Sequence, residues 1–511
     1  MYKKLWADMH SNIHHEQINQ LPEWLNHAKE IMDFWPIAYY PFYMKKLDNG
    51  FAIEDVYDED IYLKDWEYIR DICAQTNNEG FPMFMGYEWQ GNGLDGDHNV
   101  FFLDNDQIQK HPMTYKQLIK EYEDVDAIAI PHHVAYQLGS RGKNWDTHNE
   151  KFSPFSEIYS SHGSSENDHG PLGMDRHIHM GPRVSSTCYE KGLEKGYKVG
   201  CICSGDNHNI PGVYKYGMMC ALATSNSKKD IWDALLNSRV YGTTGSRIEV
   251  DYYIDNQPMG SILNTNKNEV DLSLKVKGND KIDRVEILMN NQLYKMIIPK
   301  SKKNNDSDIR FKFKVEFGWG PDVRIFKDLL SKNWKGKLKI ENGKLLSVEK
   351  CFNNYGQKVI RMDDDECEFD LTTYQGNISD KWMANTVASN EALIFEIESK
   401  LSSDIILYAD DKEYKLSVED ILNDSYLFAD KDAASKLIEE RYGKVEHYRD
   451  DPFWHNSYKI KFYQGCLEND YTMNVIDKIE VKNNCQIRLR IHQRNGDIAF
   501  VSPIFIRKEG T

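Results

Sequence analysis

Histidine is concentrated near the start of this chain, in a pattern that constrains the fold. Of the 17 histidines in 511 residues, only His447, His455 and His492 come after residue 210. In the first part, short apolar runs such as residues 127–130 and 198–203 end in polar or His-rich turns. Helix-like stretches separate these runs, at residues 23–32, 63–75, 115–122, 187–195 and 230–236. Strands that alternate with helices predict an α/β fold with a largely parallel sheet, whose chemistry lies at the carboxyl ends of the strands.

The pattern changes near Arg247. Residues 247–254, 269–276 and 310–317 alternate apolar and polar side chains with period two, and turn residues separate them. This alternation is typical of half-buried strands in a β-sandwich. We therefore predict three domains: an α/β domain at residues 1–246, a β-sandwich module at residues 247–340, and a mixed, mainly β C-terminal region at residues 341–511 packed on the rest.

Composition and charge exclude several classes of protein. The formal net charge of −17 argues against a protein that binds nucleic acid through its phosphates. A hydrophobic share of 40% and an aromatic share of 12% exclude a mainly disordered chain. We find neither a run of about 18 apolar residues nor a signal-like start, and the nine scattered cysteines fit reduced thiols. We expect a cytoplasmic protein with neither a nucleic-acid nor a membrane partner; a homo-oligomer stays open.

Five groups of His and acidic residues follow the predicted strands. They lie at residues 8–15, 86–99, 131–133, 157–163 and 204–208. In an extended strand, Asp8, His10, Asn12 and His14 would share one side. Imidazole and carboxylate are ligands for Zn, Mn or Fe, and a shared carboxylate can bridge two ions. Taken singly, each group is explained as well by a helix cap or a satisfied polar group. Five groups at the same structural position predict one shared metal centre.

The motifs resemble those of a known superfamily. They are Asp8-Met-His10-Ser-Asn12, Gly86-Tyr-Glu88-Trp, Gly96-Asp-His98-Asn, Pro131-His132-His133, Glu157-Ile-Tyr-Ser-Ser-His162-Gly and Gly205-Asp206-Asn-His208. With them, residues 1–247 resemble PHP-domain metallohydrolases, the polymerase-and-histidinol-phosphatase superfamily. Together with residues 241–248 and 493–505, the whole chain resembles the DUF3604 branch and the related CehA/McbA-type metallohydrolases. The resemblance implies a distorted (β/α)7 barrel, followed by a C-terminal β-sandwich-like region, that binds metal ions at the C-terminal mouth of the barrel.

The resemblance also implies roles for individual residues. It implies two divalent transition-metal ions, within a range of one to three, of Mn, Zn or Fe. His10 and Asp206 would hold one ion, Glu88 would bridge, His132 and His162 would hold the second, and His208 would face a third. His98 and His133 match positions for substrate contact or proton transfer, which makes them candidate catalytic residues.

Two positions depart from the family pattern. Asn12 stands where the opening motif has a second metal-binding His, and Tyr40 stands where a strand usually ends in Asp-His. A neutral amide is a poorer ligand than imidazole for Zn or Fe, and a phenol binds well only once deprotonated. We expect supporting groups or alternative ligands at Asp8, His14, His15 and Tyr40.

The predicted reaction is hydrolysis by a water that the ions activate. The resemblance to the superfamily, whose members commonly hydrolyse phosphate esters, favours a phosphate ester or a related small-molecule ester. Arg176 and Arg247 are candidate contacts for an anionic substrate. Nearby aromatic residues would suit an aryl or sugar group. The alternatives are a carbamate, amide or carboxyl-ester hydrolase, and a degenerate PHP module that binds without turnover, which Asn12 and Tyr40 favour.

Overall fold

The computed structural model of the protein describes residues 2–299, 308–375 and 389–509. By contacts within the chain, these residues form two compact units. The first unit contains residues 2–276, 283–298 and 474–509, and the second contains residues 277–282 and the described part of 299–473. The three domain limits that the sequence indicates stay predictions. Within the described ranges, the helices are either too short or too polar to cross a membrane.

Short strands and helices alternate up to about residue 240, and residues 240–297 consist of strands and their connections. The helices are α1 (Leu21–Ile31), α2 (Glu59–Asn78), α3 (Tyr115–Glu121), α4 (Tyr189–Glu194) and α5 (Lys228–Leu236), which coincide with the five helix-like stretches of the sequence. The strands are β1 (Lys3–Ala7), β2 (Asn12–His14), β3 (Trp35–Tyr40), β4 (Phe42–Lys46), β5 (Ala52–Val56), β6 (Met83–Trp89), β7 (His98–Phe102), β8 (Ala127–Pro131), β9 (Phe155–Ser160), β10 (Gly163–Ser164), β11 (Gly200–Cys203), β12 (Met218–Ala223), β13 (Val240–Thr243), β14 (Glu249–Ile254), β15 (Gln257–Pro258), β16 (Ile262–Thr265), β17 (Glu269–Lys277), β18 (Ile282–Met289) and β19 (Gln292–Ile297).

The rest of the chain is mainly β. Its strands are β20 (Ile309–Gly318), β21 (Ser331–Ile340), β22 (Gly343–Cys351), β23 (Lys358–Met362), β24 (Glu366–Tyr374), β25 (Glu391–Ser399), β26 (Asp404–Ala409), β27 (Lys412–Ser417), β28 (Tyr426–Ala429), β29 (Lys459–Phe462), β30 (Cys466–Leu467), β31 (Thr472–Glu480), β32 (Cys485–Gln493) and β33 (Ile498–Lys508). Its helices are α6 (Val418–Asn423), α7 (Lys431–Tyr442), α8 (Asp451–Asn456) and α9 (Glu468–Tyr471).

The second unit contains two antiparallel sheets. One has the order β22-β25-β20-β29-β28, with β30 beside β20, and the other has the order β23-β24-β21-β26-β27. Phe317 of β20 lies 5.4 Å from Trp334 of β21 and 5.3 Å from Phe369 of β24, ring centre to ring centre. Aromatic side chains therefore join the two sheets face to face.

The first unit has mixed sheets, so the expectation of a largely parallel sheet is wrong. One sheet has the order β2-β3-β6-β7-β8, in which β2, β3 and β6 are parallel but β7 is antiparallel to both neighbours. Only residues 90–97 join β6 to β7, too few for the crossover that parallel neighbours need. The described residues show a mixed α/β architecture, mostly strands in several sheets; a closed barrel is not found among them.

A row of apolar residues lies across these strands, next to their ends. The register aligns Ala38, Gly86, Phe101 and Ile128 across β3, β6, β7 and β8. Ala38, Phe101 and Ile128 are fully buried in one hydrophobic cluster. A Cβ at Gly86 would collide with the Phe101 ring, so this position requires glycine. Side chains two residues away from this row, on the same face of each strand, therefore rest on a packed, dry base.

The last strands of the chain complete the first unit. Strand β33 pairs with β13 and β32, in the sheet that also holds β1 and β12. Arg488 of β32 is 1% exposed and forms ion pairs with the buried Glu166 and, at 2.5 Å, with Glu190. Arg490 adds a second guanidinium, 2.7 Å from Glu166. This buried charge cluster joins residues that are about 300 positions apart in sequence.

We predict that Arg488→Met lowers the free energy of unfolding by about 3 kcal/mol or more, because it removes one of the two guanidinium groups that balance the buried Glu166. Arg70→Met is the matched control, since Arg70 pairs with Glu67 at 3.0 Å on the surface and its loss should cost under about 1 kcal/mol. Urea denaturation measures both; equal losses would contradict the structural role of Arg488.

Candidate metal centre

Five predicted ligands come together in the first unit. His10, Glu88, His132, His162 and Asp206 are all buried. His10 Nε2 lies 3.6 Å from Glu88 Oε2 and 3.4 Å from Asp206 Oδ1. His132 Nε2 lies 3.8 Å from Glu88 Oε1, and His162 Nε2 lies 3.3 Å from Asp206 Oδ2. These side chains lie at or just after the ends of β1, β6, β8, β9 and β11, as the sequence predicts.

Three groups of side chains have ligand atoms within 4.8 Å of one another. They are His10 with Glu88 and His132, His10 with Glu157 and Asp206, and Asp97 with His132 and His133. Each of these groups could hold a metal ion. The ligand roles of the individual residues stay predictions.

Glu157 lies in this cluster, although the motif that contains it predicts a role only for His162. Its Oε2 lies 2.8 Å from Nδ1 of His10, while the other ring nitrogen of His10 faces Glu88 and Asp206. Burial alone would lower the pKa of His10, but the carboxylates of Asp206 and Glu157 outweigh it and raise that pKa well above its ordinary value. A carboxylate on one ring nitrogen orients the other toward a metal ion. An acidic residue inside a buried strand is the signal that could have identified it.

His132 is an imidazole without a hydrogen-bond partner. It is 1% exposed, and both of its ring nitrogens lack a partner. Burial, together with the neighbouring His10 and His133, lowers its pKa well below the ordinary value, so the ring is neutral. A buried polar group left unpaired costs about 1–3 kcal/mol, which a bound cation would recover. A neutral, buried imidazole is also the form that binds metal ions.

Asp206 and His162 form the other side of the cluster. Burial alone would raise the pKa of Asp206, but His10, His162 and His133 outweigh it and hold that pKa well below its usual range. Burial lowers the pKa of His162 to about 4, so its ring is neutral at pH 7. The hydroxyl of Tyr136 lies 2.7 Å from Nδ1 of His162, which leaves Nε2 facing Asp206. His162 is therefore oriented in the same way as His10.

Asn12 lies inside the cluster. Its Nδ2 donates to Glu88 Oε2 at 2.8 Å and lies 3.2 Å from His10 Nε2. Its Oδ1 is buried without a partner. Asn12 thus lies beside Glu88 and His10, with one oxygen available as a neutral donor.

Asp8 has a different position from the one expected, because residues 8–11 do not continue the strand. Strand β1 ends at Ala7 and β2 begins at Asn12. Asp8 Oδ1 accepts hydrogen bonds from the backbone amides of His10 and Gly205, at 2.9 and 2.8 Å, and Oδ2 accepts one from Gly212 at 2.8 Å. Both carboxylate oxygens are used, so Asp8 supports the loop that carries Asp206 instead of facing the cluster.

His14, His208 and Tyr40 form a second group beside the first. His14 Nε2 lies 2.6 Å from Nδ1 of His208, and the Tyr40 ring lies 4.5 and 5.0 Å from the two imidazoles. Burial and the charges of Glu88 and Glu54 raise the pKa of Tyr40 well above its ordinary value, and its hydroxyl donates to Glu54. A protonated phenol is a poor metal ligand, so His14 is the better candidate to accompany His208.

His15 points away from both groups. Its Nδ1 lies 2.7 Å from Asp65, and its side chain is 42% exposed. The structure therefore does not bring the alternative ligand His15 to the cluster.

His133 lies beside Asp97, which in turn pairs with Arg141; neither of these two residues is among the sequence-predicted site residues. Its Nε2 lies 3.6 Å from Asp97 Oδ2, and Arg141 Nη1 donates to the same oxygen at 2.7 Å. Arg141 Nη2 donates to Glu54 at 3.0 Å. His133 and Asp206 both have positive φ, 33° and 46°, a strained conformation that is enriched at functional sites.

His98 lies on the opposite face of its strand, and its position does not fit the expected catalytic role. The register pairs Trp89 with His98 and Glu88 with Asn99, so His98 and Glu88 face opposite sides of the sheet. His98 Nδ1 lies 2.9 Å from the carbonyl oxygen of Gly96, and its Nε2 lies 3.1 Å from the buried Nζ of Lys143. A shift of one residue in the pairing of β6 with β7 would put His98, and not Asn99, on the same face as Glu88.

The two candidate substrate arginines have different surroundings. Arg247 donates to the backbone carbonyl of Ile31, and its guanidinium lies 5.9 Å from the Trp6 ring, so it supports the fold away from the cluster. Arg176 is exposed and lines an open cleft of about 280 Å³ together with His162, Lys215 and Tyr216. Its guanidinium lies 4.9 Å from the centre of the Tyr216 ring. Of the two, Arg176 is the one beside the centre.

A family model described as a protein of unknown function (DUF3604) matches residues 204–269. This stretch includes Asp206, His208 and Arg247, so the similarity to DUF3604 that the motifs indicate is confirmed over these residues. The CehA/McbA-type branch is not confirmed.

Two curated relatives are uncharacterized proteins. One, from Chlamydia pneumoniae, is 26% identical over 261 residues, which are 46% of this chain and 41% of the relative. The other, from Chlamydia trachomatis, is 26% identical over 201 residues, which are 35% of this chain and 31% of the relative. The matches thus span less than half of either relative.

A solved structure from Bacteroides vulgatus is described as a two-domain protein containing a predicted PHP-like metal-dependent phosphoesterase. It is 13% identical, covers 81% of this chain and 95% of its own, and has a TM-score of 0.31. At this level of similarity, the likeness bears neither on the fold nor on the activity of this chain.

We predict that Lys143 makes the stability of the protein depend on pH. Burial lowers the pKa of Lys143 to about 7, whereas in the unfolded chain it is about 10.4. Between these values the unfolded state binds more protons, so the free energy of unfolding should rise with pH, by up to about 1.4 kcal/mol per unit. Lys143→Met lacks this contribution. Urea unfolding is measured between pH 6 and 9. Above pH 7, the free energy of unfolding of wild type should rise relative to that of Lys143→Met. Parallel pH profiles of the two proteins would contradict the lowered pKa.

Proposed function

We propose that this protein is a hydrolase that depends on divalent transition-metal ions. The observation that carries the proposal is the set of buried carboxylates around His10. In the described ranges, neither a lysine nor an arginine forms an ion pair with Glu88, Glu157 or Asp206. Buried charges need an opposite charge nearby, and neutral imidazoles and carboxylates together suit Mn, Zn or Fe.

The donor set fits two ions. His10 and Asp206 would hold one ion, His132 and His162 would hold the other, and Glu88 would bridge them. We propose the same PHP type of centre for this protein, in a (β/α)7 barrel. The unpartnered nitrogens of His132 support it, as does the unpartnered Oδ1 of Asn12. His208 and His14 are candidates for a third, weaker position.

The ions would lower the pKa of a water and polarise the scissile group. The chain's own residues would orient and hold the donors. Glu157 fixes His10 through Nδ1, and Tyr136 fixes His162 in the same way. His133, which lies beside Asp97, would move a proton at the edge of the cluster.

For the substrate, we propose a small phosphate ester. The cleft beside His162 supports this choice, because its lining includes the cations Arg176 and Lys215 and the aromatic rings of Tyr159 and Tyr216. In the described ranges Arg176 makes neither a hydrogen bond nor an ion pair, so its guanidinium is available for an anion. The two rings would suit an aryl or sugar group on the same molecule.

Glu88→Gln should remove bound metal and metal-dependent hydrolysis while the protein stays folded, because it removes the bridging charge. Metal binding is measured as metal content after purification without chelator, and folding by circular dichroism. Hydrolysis is measured in a screen of aryl phosphate, phosphodiester, carboxyl-ester and carbamate substrates with Mn, Zn and Fe. His492→Ala is the control, since His492 lies 3.3 Å from Glu286 on a distant strand, and turnover should stay within a few-fold.

Full activity of Glu88→Gln would refute the bridging role. Metal binding by wild type without turnover on any of these substrates would favour the binding protein over the hydrolase. Hydrolysis of the carbamate or carboxyl ester alone would replace the phosphate ester as substrate.

Arg176→Ala should raise KM for an aryl phosphate about tenfold or more and change kcat little, because it removes a charge-assisted contact to the bound anion. A neutral carboxyl ester with the same aryl group is the matched control and should keep its KM. Steady-state kinetics at fixed metal concentration measure both. An unchanged KM for the phosphate would show that the cleft does not bind the substrate's anionic group.

A further inference from the structure

Polar side chains form one row across four neighbouring strands. The register pairs His14 of β2 with Tyr40 of β3, and Glu88 of β6 with Asn99 of β7. Tyr39 pairs with Tyr87, which puts Tyr40 and Glu88 one step further at adjacent positions. Directly opposed residues in neighbouring strands share a face of the sheet. Asn99 therefore faces the same side as Glu88, directly above the apolar row that contains Phe101.

Asn99 lies between two predicted metal ligands. Its other neighbour in the row is Ile130, which has an apolar side chain. His132 follows two residues after Ile130, and its backbone amide donates to the carbonyl oxygen of Asp97 at 3.2 Å. Asn99 is thus opposite Glu88 on one side and diagonal to His132 on the other.

The side chain of Asn99 is not explained by the fold. It is 1% exposed, and its Oδ1 has no hydrogen-bond partner. Asparagine is disfavoured in strands, and a buried amide oxygen without a partner destabilises the folded state. An apolar residue would suit this position better, unless the oxygen meets a ligand.

We propose that Asn99 is a further ligand of the metal centre, whose Oδ1 binds the ion that Glu88 and His132 hold. The inference rests on the proposed function, since it requires that an ion is bound there. An amide oxygen is a neutral donor, so it completes the coordination of a divalent ion without adding to the negative charge of Glu88, Glu157 and Asp206. The same reasoning makes Asn99 a counterpart of Asn12, on the other side of Glu88.

The test compares Asn99→Ala and Asn99→Asp with wild type. Zn²⁺ affinity is measured by competition with a chromogenic chelator, and the visible spectrum of the Co²⁺-loaded protein reports its ligands. Asn99→Ala should weaken Zn²⁺ binding at least about tenfold and change the Co²⁺ spectrum, because one donor is lost. Asn99→Asp keeps an oxygen at the same place and should bind Zn²⁺ at least as tightly as wild type.

Asn456→Asp is the matched control. Asn456 is also buried, but its amide is used at both ends, by the carbonyl of Pro452 at 2.8 Å and the amide of Asp322 at 3.1 Å. Its Zn²⁺ affinity and Co²⁺ spectrum should match those of wild type.

Two results would overturn the inference. One is a Zn²⁺ affinity within threefold of wild type in Asn99→Ala, with an unchanged Co²⁺ spectrum. The other, decisive if Asn99→Ala does not fold, is a folded Asn99→Asp that binds Zn²⁺ more weakly than wild type. If wild type itself binds neither Zn²⁺ nor Co²⁺, the proposed function fails as well. If wild type binds these ions and only the results for the Asn99 variants differ from those expected, the inference about Asn99 fails alone.

Discussion

Burial of three carboxylates around one histidine is the constraint on which the rest of the first unit depends. Glu88, Glu157 and Asp206 come from three different strands or strand ends and meet at His10. Charges this far from water destabilise a fold unless opposite charge meets them. His10 can supply only one positive charge, and burial keeps His132 and His162 neutral. Divalent cations would balance the remaining charge and would use the lone pairs that these imidazoles present.

The fold builds this arrangement in layers. An apolar row at the level of Gly86 and Phe101 excludes water below, and the polar row with Glu88 lies directly on it. Asp8 then ties the end of β1 to the loop after β11 through the backbone amides of Gly205 and Gly212. Because the candidate ligands lie at strand ends, and because hydrogen bonds orient His10 and His162, these donors are preorganised.

Sequence patterns predict the five helices of the first part and the clustering of His and acidic side chains, because apolar runs and polar strand ends are local signals. They fail where a single register step or a loop length decides. The sequence motif offers Asp97, His98 and Asn99 alike, because alternation alone does not say which face of β7 lies toward Glu88. The short connection from β6 to β7 made that sheet mixed instead of parallel. The sequence does not single out Glu157, because a carboxylate within a strand resembles an ordinary surface position until its burial is known.

The most direct test is a crystal structure of protein purified without chelator, with anomalous diffraction recorded at the absorption edges of Mn, Fe and Zn. The predicted result is an anomalous peak about 2.0–2.3 Å from Nε2 of His10 and an oxygen of Asp206, with a second beside His132 and Glu88. Density that shows only water among these side chains, or a peak in a different part of the chain, would contradict a metal centre at the ends of these strands.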